Sequence, residues 1–292
     1  MHRLLLHNDQ ILDTYSKDLS AGQVGLLNGW GVFSTLRVAD GVLFAFERHW
    51  ARMQRDAARL HIPFPDDSAI FKSTLLRLVE ANSAQNATLR VAVVRNRGGL
   101  FEGPDLTRDY DIIAFTCNLN SWGESVKLGI KPQARHAQNE FAGVKFLSWA
   151  QNLTWYEEAH QRGFDEFVLL NERGEVSECT SANIFVIRDR ELATPPLSSG
   201  CLPGITRALL LEEIHVPGIH VVEKTFLPAD LQVADQVLIT SSTRDLLPVS
   251  SIEGLTIRND NTHLSSLLQA FQKYRQDYVE RAKPAKLEKV TV

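Results

Sequence analysis

A lysine among large apolar residues, an acid followed by small ones and a Gly-Ile-Thr turn are the groups whose type and order suggest chemistry in this chain. Lys145 stands between Phe141, Val144, Phe146, Leu147 and Trp149. Burial there would disfavour its charged form and free the amine to attack a carbonyl carbon. Glu178 lies in Ser177-Glu178-Cys179-Thr180-Ser181-Ala182-Asn183, where the small residues would let a flat ring approach the backbone. A carboxylate facing a pyridine nitrogen would keep that nitrogen protonated, so that the ring withdraws electrons from a bound substrate. Gly204-Ile205-Thr206 opens a helical stretch, and its N–H groups with the Thr206 hydroxyl suit a phosphate at a helix amino end. Thr240-Ser241-Ser242-Thr243, after a strand, is a second hydroxyl-rich turn.

Taken singly, each group has a plainer reading. Lys145 alone is a surface lysine whose stem covers an apolar strand, and Glu178 is a solvated acid at a strand end. Thr206 is an ordinary helix N-cap, and the hydroxyl cluster a polar loop. Arg52 belongs to Arg48, Arg52, Arg55 and Arg59, whose helical spacing is that of a solvated basic face. His49, beside Trp50, reads as a packed or surface histidine rather than a ligand. The chain has no G-x-S-x-G, H-E-x-x-H or phosphate-loop signature, and Gly29-Trp30-Gly31 lacks the third glycine of a dinucleotide fingerprint.

The elements that must position these groups follow from periodicity and punctuation. Leu4-Leu5-Leu6 and Gln10-Ile11-Leu12 flank the polar break His7-Asn8-Asp9, which predicts a hairpin. Val32 to Val38 and Val42 to Phe46, joined by Ala39-Asp40-Gly41, predict a second one. Helices are predicted over 47–60, 68–81, 150–162 (ended by Gly163), 206–214 and 263–281. In the first, Trp50, Met53, Ala57 and Leu60 form one stripe. Strands are predicted over 89–94, 110–116, 126–130 and 183–187, in a hairpin of 167–170 with 175–178, and near 221 and 237–240. An α/β fold with α+β elements results. A small mixed amino-terminal lobe (1–117), a linker (118–124) collecting Asn118, Ser121 and Gly123, and a larger carboxyl-terminal lobe (125–292) are its expected parts.

Bulk properties narrow the function classes. At 292 residues the chain lies at the upper limit of one hydrophobic core, about 250–300 residues, which favours two lobes. With 31 basic and 35 acidic side chains, the net charge of -4 offers no field for nucleic acid or an anionic membrane. Cys117, Cys179 and Cys201 are odd in number and without C-x-x-C spacing, which argues against a disulfide framework and a zinc site; no metal is expected. The apolar stretch at the amino terminus is too short for a signal peptide, and no run is long enough to span a bilayer, so a reduced, cytoplasmic protein is expected. The basic tail, Arg281 to Lys289, is expected to fray.

Taken together, these residues resemble the class IV (fold type IV) pyridoxal-phosphate enzymes, which include branched-chain and D-amino-acid aminotransferases and aminodeoxychorismate lyases. The resemblance runs through His7-Asn8-Asp9-Gln10-Ile11, Gly31 to Arg37, Glu47-Arg48-His49-Trp50-Ala51-Arg52 and Lys145. It continues through Gly163-Phe164-Asp165-Glu166, Gly174 to Glu178, Asn183-Ile184-Phe185, Leu202 to Arg207 and Thr240 to Pro248. It implies pyridoxal 5'-phosphate between two lobes, Lys145 as the Schiff-base lysine and catalytic base, and Glu178 as partner of the pyridine nitrogen. Arg52, Gly204, Ile205, Thr206, Ser241 and Ser242 would hold the phosphate, Leu202 would pack on the ring, and Asn183 would complete the cofactor site. Arg52 would then point inward from an otherwise solvated stripe.

For substrate, the resemblance implies Phe33, Thr35 and Thr243 at the pocket, with Arg95 and Arg97 in a loop that helps trap the carboxylate. The implied activity is amino-group transfer between a branched-chain or D-amino acid and a 2-keto acid, with ping-pong kinetics, in a homodimer. The pocket departs from the branched-chain pattern, with Ala150 and Asn28 where those enzymes carry tyrosines. Phe33-Ser34-Thr35 echoes the F-x-T of the lyases, so release of 4-aminobenzoate and pyruvate from aminodeoxychorismate is the alternative.

Overall fold

The computed structural model describes residues 1–16, 23–100, 102–103, 106–260 and 262–283; the expected fraying beyond Lys283 lies outside them. Two mixed α/β halves each carry one sheet. In the first half β1 (Leu4–His7), β2 (Gln10–Asp13), α1 (Val24–Asn28), β3 (Gly31–Ala39), β4 (Val42–Leu43), α2 (Phe46–Arg59), α3 (Ser68–Ala81), β5 (Ala87–Arg95) and β6 (Tyr110–Cys117) follow one another. They make a six-stranded sheet in the order β2-β1-β6-β5-β3-β4. The second half holds β7 (Val126–Arg135), α4 (Ala150–Gln161), β8 (Glu166–Asn171), β9 (Val176–Cys179), β10 (Asn183–Arg188), β11 (Glu191–Thr194), α5 (Ile205–Glu212), β12 (His220–Glu223), α6 (Pro228–Gln232), β13 (Gln236–Ser241), β14 (Asp245–Ile252) and α7 (Leu264–Ala282). Its eight strands run β12-β11-β10-β13-β14-β7-β8-β9.

Period-two alternation gives the first sheet two different faces. Val32, Leu36 and Val38 of β3 pack with Leu89, Val91 and Val93 of β5 and with Met53 and Ala57 of α2 in one core. The intervening residues, Phe33 and Thr35, face the other half, and the register pairs Thr35 with Arg90. The Trp50-Met53-Ala57-Leu60 stripe joins this core as its periodicity predicts. A separate core fills the second half around Val168, Ile184 and Val237. A third joins the halves, seating Phe44 and Ala45 against Phe185, Leu209, Leu238 and Phe271.

That third core explains one departure from the sequence reading. The strand expected to run to Phe46 ends at Leu43, because Phe44 and Ala45 turn into the joint and Ala45 takes a left-handed φ of 53° as the residue before α2. α1, β11, α6 and β14 have no counterpart among the predicted elements: β14 carries Pro248 and begins at Asp245, also left-handed at φ 59°. The remaining predicted helices agree to within two residues at each end. Gly163, at φ 80°, follows the last turn of α4 as expected of a residue that closes a helix. No helix of the described residues is long and apolar enough to cross a membrane.

Candidate active site

Between the halves lies a cavity of about 890 Å³, within the range of small-molecule sites. Lys145, Glu178, Arg52, Asn183, Leu202, Gly204, Ile205, Thr206, Ser241, Ser242, Thr243, Phe33 and Thr35 all line it. Residues as far apart in sequence as Phe33 and Thr243 thus line one cavity.

Lys145 is not on a strand. Its segment runs beside β3, with the Phe33 amide donating to the Lys145 carbonyl at 3.1 Å, the Leu147 amide to Gly31 at 2.8 Å, and one bridge pairing Val32 with Phe146. The Lys145 amide itself donates to the buried Asp56 carboxylate at 3.0 Å, fixing the backbone from α2. The ammonium nitrogen sits 4.5 Å from the centre of the Phe33 ring and 5.6 Å from that of Trp149. Burial is the main cause, and the charges of Arg52 and Arg90 the next, that bring its pKa from 10.5 down to about 7, against the pull of Glu178 and Asp56. An amine held there is available as a nucleophile and as a base near neutral pH.

Glu178, at the end of β9, is buried rather than solvated. Arg135 donates to its Oε1 at 2.8 Å and the Leu202 amide to Oε2 at 3.0 Å, so the carboxylate is oriented by a cation and a backbone N–H. Asn183 donates to the Leu202 carbonyl at 2.8 Å, tying the same loop to β10.

The phosphate-type wall is built from both halves. Gly204 is the residue before α5, so Thr206 is the second helical residue rather than the N-cap, and no side chain caps this end. The uncapped amides of that buried first turn and the Thr206 hydroxyl, which has no hydrogen-bond partner among the described residues, are left for a ligand. A Cβ on Gly204 would lie 1.9 Å from the Asn183 Oδ1, so only glycine fits the turn. Arg52 comes from α2 and is buried, unlike Arg55 and Arg59 on the same helix. Its Nη2 donates to the Ser34 hydroxyl at 2.9 Å and its Nη1 to the Pro203 carbonyl at 3.4 Å, while Nε is buried without a partner. Burial lowers its pKa to about 10, so it remains a cation at neutral pH. Anion-binding donors therefore converge on one end of the cavity, Lys145 lies in its wall, and a carboxylate is oriented beside Leu202. Pyridoxal phosphate presents an anion, an aldehyde and a ring nitrogen, and these residues fit it.

Arg95 and Arg97 are not brought to this cavity. Arg95 stacks on Trp30 with its Nε donating to the Arg97 carbonyl, and Arg97 pairs with Glu102 and Asp109 at the far end of β5. The arginine of β5 that does line it is Arg90, five residues before Arg95, 3.9 Å above the Phe33 ring and with no side-chain hydrogen bond or ion pair among the described residues. Its place in an alternating strand makes it look like an outward polar residue; only the register with Thr35 turns it to the cavity. Arg135, Trp149 and Arg244 were likewise beyond sequence reasoning. Arg244 is buried, pairs with Glu166 at 2.5 Å and donates to the Ser181 hydroxyl at 2.9 Å. Asn28 borders a separate recess of about 300 Å³, and Ala150 is an exposed first residue of α4.

Comparison with known proteins identifies the family. Residues 31–252 match the model of the amino-transferase class IV family, and the chain belongs to that family. A putative branched-chain-amino-acid aminotransferase of Methanocaldococcus jannaschii is 30% identical over 255 residues, covering 86% of this chain and 88% of that protein. A D-alanine aminotransferase of Bacillus licheniformis is 28% identical over 256 residues, 87% of this chain and 89% of its own. The fold is that of the Escherichia coli branched-chain amino acid aminotransferase, with a TM-score of 0.84 at 22% identity over 94% of this chain and 95% of that one. A putative 4-amino-4-deoxychorismate lyase of Legionella pneumophila is similar at a TM-score of 0.81, with 22% identity over 89% and 96%.

Proposed function

We propose that this chain is a pyridoxal 5'-phosphate-dependent aminotransferase that moves an amino group between a branched-chain or D-amino acid and a 2-keto acid in two half-reactions. The observation that carries the reading is that Lys145, Glu178 and the Arg52–Thr206 anion wall line one cavity, where burial lowers the Lys145 pKa to about 7. Bound pyridoxal phosphate supplies a carbonyl that condenses with amines and a ring that accepts electrons from the substrate's α carbon. Arg52, Gly204, Ile205, Thr206, Ser241 and Ser242 would hold its phosphate, Glu178 would keep the ring nitrogen protonated, and Asn183 with Leu202 would support the ring. Lys145 would be the amine that holds the cofactor in the cavity wall. The Lys145 amine, once displaced, would serve as the base that takes and returns the substrate's α proton; water would then release the first 2-keto acid, and a second 2-keto acid would take up the amino group in the other half-reaction.

Arg90 is the cation placed to hold a substrate carboxylate, because its guanidinium has no hydrogen bond or ion pair among the described residues, faces the cavity and influences Lys145 directly. Phe33, Thr35 and Thr243 form the rest of the substrate pocket. The same reading puts the boundary between lobes at 118–124, and the protein in the cytoplasm as a homodimer.

Offering D-alanine, L-leucine, L-glutamate and aminodeoxychorismate separately to the loaded enzyme tests the proposal. Loss of the bound cofactor's visible absorbance with one of the amino acids, and its return with a 2-keto acid, is expected. Rapid pyruvate release from aminodeoxychorismate, with no half-reaction from any amino acid, would replace transamination by the lyase reaction.

A further inference from the structure

Two buried polar residues not yet assigned, Ser34 and His49, join Arg52 to Ser242. Arg52 on α2 donates to the Ser34 hydroxyl at 2.9 Å, that hydroxyl lies 2.7 Å from Nδ1 of His49, and Nε2 of His49 lies 3.5 Å from the Ser242 hydroxyl. Ser34 is wholly buried and His49 nearly so. Both come to this place for a local reason. Ser34 sits on the face of β3 that looks toward α2, between the core residues Val32 and Leu36. His49 and Arg52, three residues apart, lie on the same face of that helix.

The direction of each hydrogen bond follows from the donors available. A guanidinium only donates, so Ser34 must accept from Arg52. Among the described residues its own hydrogen has no acceptor except His49 Nδ1, and a buried hydroxyl without an acceptor is costly. Nδ1 therefore accepts, and the proton of the neutral imidazole resides on Nε2. Burial and the charges on Arg52 and Lys145 hold the His49 pKa well below its usual value, which keeps the ring in that neutral form. The Nε2–H then points to the Ser242 oxygen, leaving the Ser242 hydrogen to turn into the cavity.

We propose that His49 is a positioning residue for the cofactor phosphate: its Nε2–H occupies the Ser242 oxygen, so the Ser242 hydroxyl presents its hydrogen to the anion, in register with Arg52 on the same chain. This rests on the reading of the cavity as a pyridoxal-phosphate site. At 3.5 Å this contact is at the long end of a hydrogen bond, and polar contacts of this kind commonly tighten on ligand binding.

Two replacements separate the ring's two nitrogens. Glutamine carries an N–H near the position of Nε2, whereas asparagine reaches only the position of Nδ1. Affinity for pyridoxal phosphate, measured by quenching of tryptophan fluorescence in the apoprotein, should fall about tenfold in His49→Asn and in Ser242→Ala, the worth of one hydrogen bond to a charged oxygen. His49→Gln should stay within about threefold of the wild type, and His49→Asn should add nothing in the Ser242→Ala background. Pyridoxal, which lacks the phosphate, should bind His49→Asn as it binds the wild type. In the unaltered protein, nitrogen-15 spectra of histidine should report the Nε2–H tautomer for His49. Multiplying losses in the double variant, equal losses of pyridoxal and pyridoxal phosphate, or an Nδ1–H tautomer would overturn the proposal while leaving the cofactor assignment intact. Failure of the wild type to bind pyridoxal phosphate would overturn both.

Discussion

The amine of Lys145 should react with aldehydes at a pH where other lysines of the chain are inert. A pKa of about 7 leaves about half of the amine unprotonated at pH 7, against about one part in 3,000 for a lysine at 10.5. Stopped-flow loading of the apoprotein with pyridoxal phosphate across about pH 6 to 10 measures this directly. The rate should climb about tenfold per pH unit below 7 and level off above about 8. Arg90→Met removes one of the charges that depress the pKa, so its plateau should begin at higher pH. The same lowering has a stability signature. Between pH 7 and 10.5 the unfolded chain carries a proton that the folded chain has given up, so this group's contribution to stability rises with pH across that window and is lost as pH falls through it. Lys145→Met should be more stable than the wild-type apoprotein near pH 7, with the gap closing toward pH 10.5 in reversible urea unfolding. A loading rate that still rises tenfold per unit above about pH 9, together with a variant no more stable than the wild type, would refute the reasoning.

Other substitutions test the remaining walls of the site. Glu178→Gln should keep the cofactor bound but slow the half-reaction with an amino acid by at least about a hundredfold, read by single-turnover absorbance. Arg52→Ala should weaken pyridoxal phosphate by about ten- to a hundredfold in equilibrium titration, because a charge-assisted donor is lost. Gly204→Ala should lower apoprotein stability by about 1–3 kcal/mol in urea, since the new methyl group displaces Asn183 from its bond to Leu202. Arg90→Met should cut kcat/KM about ten- to a hundredfold, mainly through KM if the guanidinium holds a substrate carboxylate in ground and transition states alike.

Local pattern made much of the fold legible, and failed where tertiary contact decides. The stripe of Trp50, Met53, Ala57 and Leu60 announces α2, and the turn at Asn8 announces the first hairpin. The same helical spacing assigned Arg52 to a solvated face. Its inward turn follows from Ser34 and Pro203, residues no window around Arg52 contains. Arg90 escaped for the opposite reason: alternation in β5 says which face it shares with Thr35, but not that this face closes a cavity. Phe44 and Ala45 look like the continuation of a strand until α7, about 220 residues later, supplies Phe271 to pack against them. Lys145 and Glu178 became legible only through the order of several separated motifs, since each alone is an ordinary residue type in an ordinary setting.

The central claim is that Lys145 is the amine that holds the cofactor. Reducing the loaded protein with borohydride, digesting it and sequencing the pyridoxyl peptide by mass spectrometry tests it most directly. The expected result is a single stoichiometric pyridoxyl group on Lys145, absent from Lys145→Ala. A label on another lysine, or none on a protein that had bound pyridoxal phosphate, would contradict the account.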